Sequence, residues 1–295
     1  MKKEKLYKNK EWLLKEFSEG TNYSEVGRKC GVSNDTIKYW CRKLDINPEL
    51  VIHRKNAVNI HYFDDINTPE KAYWLGFIMA DGCICTSSKS CPNSRLDIIL
   101  KDTDGQHLEK LKAALYYSGD IIYKTIYDKR GFETRHAELR VNSKDMCRAL
   151  EKHSVTPRKT GKEEIPNTLP KILYTDFVRG FFDGDGSVAK GIKEHQYRFK
   201  LGSSSLKIIK QVQSWFADQG ICMNYEVETQ YSMPFYILEK SGVNDCLKIF
   251  HILYDNAAIY LDRKYNRVQE FFQSVPLCSN AQQKTSLNCG KPLRA

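Results

Sequence analysis

Two nine-residue segments of this chain match each other, and they restrict its fold more tightly than any other feature. They are Trp74-Leu75-Gly76-Phe77-Ile78-Met79-Ala80-Asp81-Gly82 and Val178-Arg179-Gly180-Phe181-Phe182-Asp183-Gly184-Asp185-Gly186. Each has a small residue, Gly76 or Gly180, and a second one four positions later, Ala80 or Gly184. That spacing puts both small residues on one helix face. Small residues there let two helix backbones pack closely, as small-xxx-small pairs do in membranes. Trp74, Phe77, Ile78, Phe181 and Phe182 supply apolar surface around the contact.

The surroundings of the two segments repeat as well. In the first copy a helix begins at the Thr68-Pro69-Glu70 cap. Strands are expected at 84–88 and 95–101, a helix at 104–117, strands at 121–127 and 135–142, and a helix at 144–153. The second copy gives a helix at 174–185, strands at 187–189 and 196–203, a helix at 206–219, strands at 224–230 and 235–240, and a helix at 244–254. The order α-β-β-α-β-β-α thus occurs twice, the sign of a pseudo-twofold unit. The fold class read from this is α+β, two pseudo-symmetric αββαββα repeats plus a small all-α N-terminal unit.

Asp81 and Asp185 directly follow the second small residue of each segment. With the helices side by side, both carboxylates emerge at the same end, a helix C-terminus where the dipole is already negative. Two carboxylates there repel each other and the dipole. A divalent cation removes the conflict, and oxygen ligands at a hydrated site favour Mg²⁺ (or Mn²⁺). Acids holding such ions can activate water and stabilise the leaving oxygen of a phosphodiester.

The paired segments, lying about 100 residues apart, and the elements after each resemble a single-chain LAGLIDADG homing endonuclease over residues 68 to 272. The resemblance implies two curved sheets forming a saddle over the DNA major groove and Mg²⁺-dependent cleavage of both strands of a long target. It also implies a monomer whose internal pseudo-twofold axis replaces a dimer. Asp81 and Asp185 would bind metal, helped by the carbonyls of Ala80 and Gly184. Met79 stands where the second copy has Asp183; that position carries no catalytic assignment, and Asp183 is read as a solvated helix-end carboxylate. The family usually carries basic or polar residues at strand ends. Lys240, with a first-copy counterpart near Asn142, and Lys101 are candidates to polarise water or steady the phosphate; solvent lysines are the alternative. Arg95, Arg140, Arg198 and Lys200 alternate along expected strands and are offered as a group to base edges or phosphates. Two further basic stretches, Arg158-Lys159 and 260–265, are read either as phosphate contacts or as helix surface charge.

Ahead of the repeats, residues 10–46 read as three helices. The first covers 11–17 and stops at Gly20, and the second covers 24–30. Gly31-Val32-Ser33 is a tight connection with positive φ cheap at Gly31. A third helix from Asn34 to Leu44 is capped by Ser33 or Asn34. Val26, Cys30, Val32, Ile37 and Trp40 can share a buried face, and Gly27 is small where the second helix approaches the third. This resembles a helix-turn-helix from Tyr23 to Arg42. The third helix then offers Asn34, Asp35, Thr36, Lys38, Tyr39 and Arg42 to DNA; a plain three-helix packing unit is the alternative.

The expected organisation is a helix-turn-helix at 1–46, a linker at 47–67 with Arg54 and Lys55 near its middle, repeats at 68–160 and 161–273, and a flexible tail at 274–295. A formal net charge of +10 favours a polyanionic partner such as double-stranded DNA, although a merely basic soluble protein has the same charge. No run of about 18 apolar residues is present, so no membrane span is expected. The charged opening Met1-Lys2-Lys3-Glu4-Lys5 gives no expectation of a secretory leader. There are ten cysteines. Only Cys83, Cys85 and Cys91 lie close together, and no Cys-x-x-Cys pair occurs, so reduced structural thiols in a cytoplasmic compartment are preferred to a zinc site. Three functions follow: a site-specific DNA endonuclease, a non-cleaving DNA-binding regulator on the same fold, and an RNA-binding intron maturase. Intact acids at both Asp81 and Asp185 favour the first, and the helix-turn-helix leans towards DNA over RNA.

Overall fold

The computed structural model describes residues 5–18, 21–46, 56–86, 94–127, 130–190, 197–230 and 233–275. The first repeat contains α4 (Pro69–Asp81), β1 (Gly82–Cys85), β2 (Arg95–Lys101), α5 (Gly105–Ala114), β3 (Ile122–Tyr127), β4 (Glu133–Asn142) and α6 (Lys144–Lys152). The second contains α7 (Tyr174–Asp185), β5 (Gly186–Lys190), β6 (Tyr197–Ser203), α8 (Leu206–Asp218), β7 (Asn224–Glu228), β8 (Phe235–Ser241) and α9 (Val243–Tyr254). Each repeat forms a four-stranded antiparallel sheet, ordered β1-β2-β4-β3 in the first and β5-β6-β8-β7 in the second. The α-β-β-α-β-β-α order is therefore present twice. A last helix, α10 (Asp262–Ser274), follows the second repeat.

Thr68 caps α4 by accepting from the Lys71 amide, with proline in the first turn. Eight consecutive residues of α4, Ala72 to Met79, are buried, so this stretch has no solvent face and lies in the middle of the core. It lies there because α7 packs directly on it. A Cβ added to Gly76 would collide with the Phe177 carbonyl oxygen and fall 2.9 Å from its carbon. One added to Gly180 would collide with the Tyr73 carbonyl oxygen and fall 2.9 Å from the Phe77 amide nitrogen. The two glycines thus face the partner's backbone reciprocally. Phe77, Ile78, Phe181 and Phe182 are fully buried in the same core.

One sheet face packs on helices and the other points away. On the first sheet Leu96, Ile98, Leu139 and Val141 are buried, and on the second Phe199, Leu201 and Leu238. Alternation along each strand sends the intervening residues to the opposite face.

Residues 56–67, expected to belong to a linker, pack on the first repeat instead. Phe63 is fully buried and Tyr62 and Ile66 nearly so, while Asn56 and Ala57 bond Tyr117 and Ser118. Three apolar side chains in a short stretch bury more surface than a solvated tether would tolerate. Arg54 and Lys55, the tail after residue 275 and Cys91 lie outside the described residues. The described cysteines are free thiols. No helix among the described residues is long and apolar enough to cross a membrane.

The N-terminal unit holds α1 (Lys10–Ser18), α2 (Tyr23–Cys30) and α3 (Asn34–Lys43). Asn22 and Glu25 form a capping box on α2, Gly31 takes a left-handed turn at φ 67°, and Ser33 caps α3. Its own core is Leu13, Phe17, Val26, Ile37, Cys41 and Ile46. Cys41, not Trp40, completes the buried face: it lies four residues after Ile37 and so directly over it. Trp40 is half-buried against Tyr7, with Lys8 and Lys43 over its ring at 4.7 and 4.8 Å.

Gly180→Val should lower the stability of the repeats by about 3 kcal/mol in urea unfolding, because neither backbone at the contact can give way. Gly220→Asn, at φ 74° with open space around it, should stay within about 1 kcal/mol of the parent.

Candidate active site

The site is built at the ends of α4 and α7, where Asp81 and Asp185 are the last helical residues. A Cβ on Gly184 would fall 3.2 Å from Asp81 Oδ2. The Asp81 carboxylate therefore lies against the backbone that immediately precedes Asp185. The close packing at Gly76 and Gly180 sets this, since it fixes how near the two helix ends can come. Part of the Asp185 side chain is open to solvent, yet loss of hydration and then the charge of Asp81 push its carboxyl up to about 7. Asp81 is also raised, by burial, with Lys264 and Lys159 pulling the other way.

Those two lysines belong to the basic stretches that the sequence offers either to phosphate or to helix surface charge, and both ammonium groups reach the helix ends. Lys159 Nζ donates to the Ala80 carbonyl at 2.7 Å. Lys264 is buried, and its Nζ donates to the carbonyls of Phe182 and Asp183 at 2.6 Å each and of Gly184 at 3.2 Å. An ammonium thus sits on the negative end of each helix dipole. Burial lowers the Lys264 ammonium to about 8 and lowers that of Lys159 as well, against the pull of nearby carboxylates. One signal in the sequence marks them: Lys159 lies 79 residues beyond Ala80 and Lys264 lies 80 beyond Gly184, nearly the same offset in the two repeats.

Asp183 is not a solvated helix-end group. It is 1% exposed and accepts from Tyr73 Oη at 2.7 Å, Tyr254 Oη at 2.6 Å and the Leu261 amide at 2.8 Å. Tyr73 in turn meets His107 at 3.0 Å. Three donors satisfy the buried carboxylate, which links α4, α7 and α9.

Strand register sorts the remaining candidates. Gly82 pairs with Ile98 and Gly186 with Leu201, so Leu139 and Leu238, opposite them on β4 and β8, are equivalent. Lys240 therefore corresponds to Val141, not to Asn142. A shift of one residue turns a side chain to the other face, and Lys240 points to the helix side with Phe199 and Leu238. Its ammonium bonds the Cys222 carbonyl at 2.7 Å and Asp245 at 3.0 Å. The structure does not bring it to Asp81 and Asp185.

Lys101 is exposed at the end of β2 and lies on the open face of its sheet. Arg95 and Arg140 share that face, and Arg198 and Lys200 lie on the open face of the second sheet. All four carry acidic partners: Arg95 with Asp97 at 2.8 Å, Arg140 with Glu138, Arg198 with Glu239 at 3.2 Å and Lys200 with Glu239 at 2.7 Å. On α3, Lys38, Tyr39 and Arg42 are exposed and Thr36 is half-exposed. Asn34 turns back to donate to Ser24 at 3.2 Å.

Among the described residues no group of three or more His, Cys, Asp and Glu is placed to hold a metal. What the helix ends offer is two carboxylates and the carbonyls of Ala80 and Gly184, an all-oxygen set that suits a hard divalent cation.

A carboxyl with its folded-state value raised from 3.8 to about 7 binds more protons folded than unfolded between those values. Stability in metal-free buffer should therefore fall as pH rises from about 4 to about 7. Asp185→Asn should flatten that slope in urea titrations run across the interval.

The description LAGLIDADG-like domain matches residues 68–154 and 173–239. Among solved structures, the chain is similar to the meganuclease I-SmaMI bound to uncleaveable DNA, at 16% identity over 70% of this chain and 90% of that one, TM-score 0.44. It is similar also to mesophilic variants of the homing endonuclease I-DmoI, at 18% identity over 67% and 97%, TM-score 0.44. A third is the LAGLIDADG meganuclease I-AabMI bound to uncleaved DNA, at 15% identity over 70% and 90%, TM-score 0.44. No curated protein matches the chain. The matched stretches span more than half of the sequence and take in both helix-end aspartates, and the chain belongs to the LAGLIDADG-like domain family.

Proposed function

We propose that this chain is a site-specific double-stranded DNA endonuclease of the homing type, acting as a monomer and hydrolysing phosphodiester bonds with a divalent metal. The observation that carries the reading is the Asp81 carboxylate lying against the Gly184 backbone, next to Asp185. Two acids so placed repel DNA phosphates unless a cation joins them. Asp81 and Asp185, with the carbonyls of Ala80 and Gly184, would hold Mg²⁺ or Mn²⁺. When bound, the metal supplies Lewis-acid charge for hydrolysis. Lys159 and Lys264 keep the helix-end carbonyls in place and bring cationic charge to the same site, where negative charge on a reacting phosphate develops. The open sheet faces, with Arg95, Lys101, Arg140, Arg198 and Lys200, would lie along the major groove. The N-terminal unit would add a second DNA contact through Thr36, Lys38, Tyr39 and Arg42 of α3; Asn34 is the weakest member of that set, since its amide is used internally.

One observation favours the non-cleaving alternative. Lys159 and Lys264 already bond the carbonyls that a metal would share, so the acids have some compensating charge without one. The test is to enrich duplexes from a random-sequence library by binding and to incubate them with Mg²⁺ or with EDTA. Cleavage of both strands only with Mg²⁺ is expected. Asp81→Asn and Asp185→Asn should each lower the cleavage rate at least about 1000-fold while keeping affinity within a few-fold. Binding without cleavage by the parent chain selects the regulator, and normal cutting by both variants removes the assigned acids. Deleting residues 1–46 should weaken binding about tenfold or more, through lost effective concentration, with the single-turnover rate unchanged.

A further inference from the structure

The open face of the first sheet carries a row of isoleucines. Register places Ile99, Glu138 and Ile122 side by side across β2, β4 and β3, and Ile126 opposite Thr134 further along β3. Ile99, Ile122 and Ile126 are 50%, 39% and 50% exposed, and the core residues Ile98 and Leu139 occupy the other face. Strand preference alone accounts for isoleucine in a strand. It does not account for three of them turned to water on the face that also bears Lys101, Lys124 and Arg140. They do not merge into one patch, because Glu138 lies between Ile99 and Ile122 and Lys124 between Ile122 and Ile126; each is a separate apolar point on a charged face. The face is continuous with the acid pair, because β1 begins at Gly82, one residue after Asp81.

The second sheet has different chemistry at the same places. Counted from the Gly82–Ile98 and Gly186–Leu201 pairs, the equivalent row is Gly202, Ile237 and Glu226. An apolar–acidic–apolar row in one repeat thus corresponds to a glycine–apolar–acidic row in the other. The acid of the first row does not stand alone: Glu138 is held by Lys124 at 2.6 Å and by Arg140. Its charge is compensated, and the isoleucines flank a neutralised group rather than a repulsive one.

Resting on the proposal that the sheets lie in the major groove, we infer that the first sheet reads thymine. The 5-methyl group of thymine is the one apolar feature a base pair shows in that groove. Ile99, Ile122 and Ile126 would seat such methyl groups, and the half-site under the first repeat carries A·T pairs where they touch. Ile122 and Ile126 are four residues apart on β3, about 13 Å, which is roughly four base-pair steps at ~3.4 Å each. The second sheet lacks the row, so the inference covers the first half-site alone.

The test uses the full chain and duplexes enriched from the random library. Each enriched duplex is remade with deoxyuridine in place of thymidine, in one half-site at a time, which removes only the methyl groups. Affinity is measured at fixed salt. The parent chain should lose about tenfold when the first half-site is changed and about twofold or less when the second is. A triple variant, Ile99→Ser with Ile122→Ser and Ile126→Ser, leaves no methyl group at these exposed positions and should bind both forms of the first half-site alike. Enrichment of duplexes with no methyl dependence in the parent, or a triple variant that discriminates as well as the parent, overturns the thymine reading alone. Failure to enrich any duplex overturns the DNA proposal and this inference with it.

Discussion

The contact between the backbones of α4 and α7 governs everything else in this molecule. Each helix carries a glycine where the partner's carbonyl passes, Gly76 against Phe177 and Gly180 against Tyr73. Any side chain there would push the helices apart. With the axes at that separation, the C-terminal ends converge and Asp81 reaches the Gly184 backbone. A strand leaves each helix end directly, so the sheets inherit the same pseudo-twofold relation. One steric condition in the middle of the core therefore fixes both the position of the acids and the direction of the two open sheet faces.

The cost of that arrangement is electrostatic. Burial raises the proton affinity of both carboxylates, and the charge of Asp81 adds to it at Asp185, which rises to about 7. The chain offsets part of this with Lys159 and Lys264, each brought in by the segment that follows its own repeat. Asp183 and Arg179 show how differently buried charge is handled in the scaffold itself. Asp183 accepts from three donors, and Arg179 donates to the Leu253 and Ile259 carbonyls and to Asp176. Those groups are saturated within the protein. Asp81 and Asp185 instead rely on nearby ammonium charge and keep a mutual repulsion.

Much of this could be read from residues alone, for identifiable reasons. Period and punctuation are local, so α7 spans 174–185 and β2 spans 95–101 as the sequence indicates. The glycine pair and its aspartates are matched motifs, visible without any structure. What stayed hidden depended on distance or on register. Lys159 and Lys264 reach carbonyls about 80 residues earlier in the chain, and only that similar offset in the two repeats sets them apart from surface lysines. Lys240 was misplaced by a single residue of strand register, enough to turn it to the wrong face. Asp183 looked solvated because its donors, Tyr73, Tyr254 and Leu261, come from three distant stretches. The segment 56–67 looked like a tether because Tyr62, Phe63 and Ile66 follow no helical or strand period.

The function proposed for this chain requires the two aspartates to share one cation at the helix ends. Anomalous scattering from Mn²⁺ in crystals of the chain with duplex DNA measures this directly. A manganese peak contacting oxygens of both Asp81 and Asp185 is the predicted result. Manganese bound elsewhere, or by one aspartate with the other turned into the protein, would contradict it.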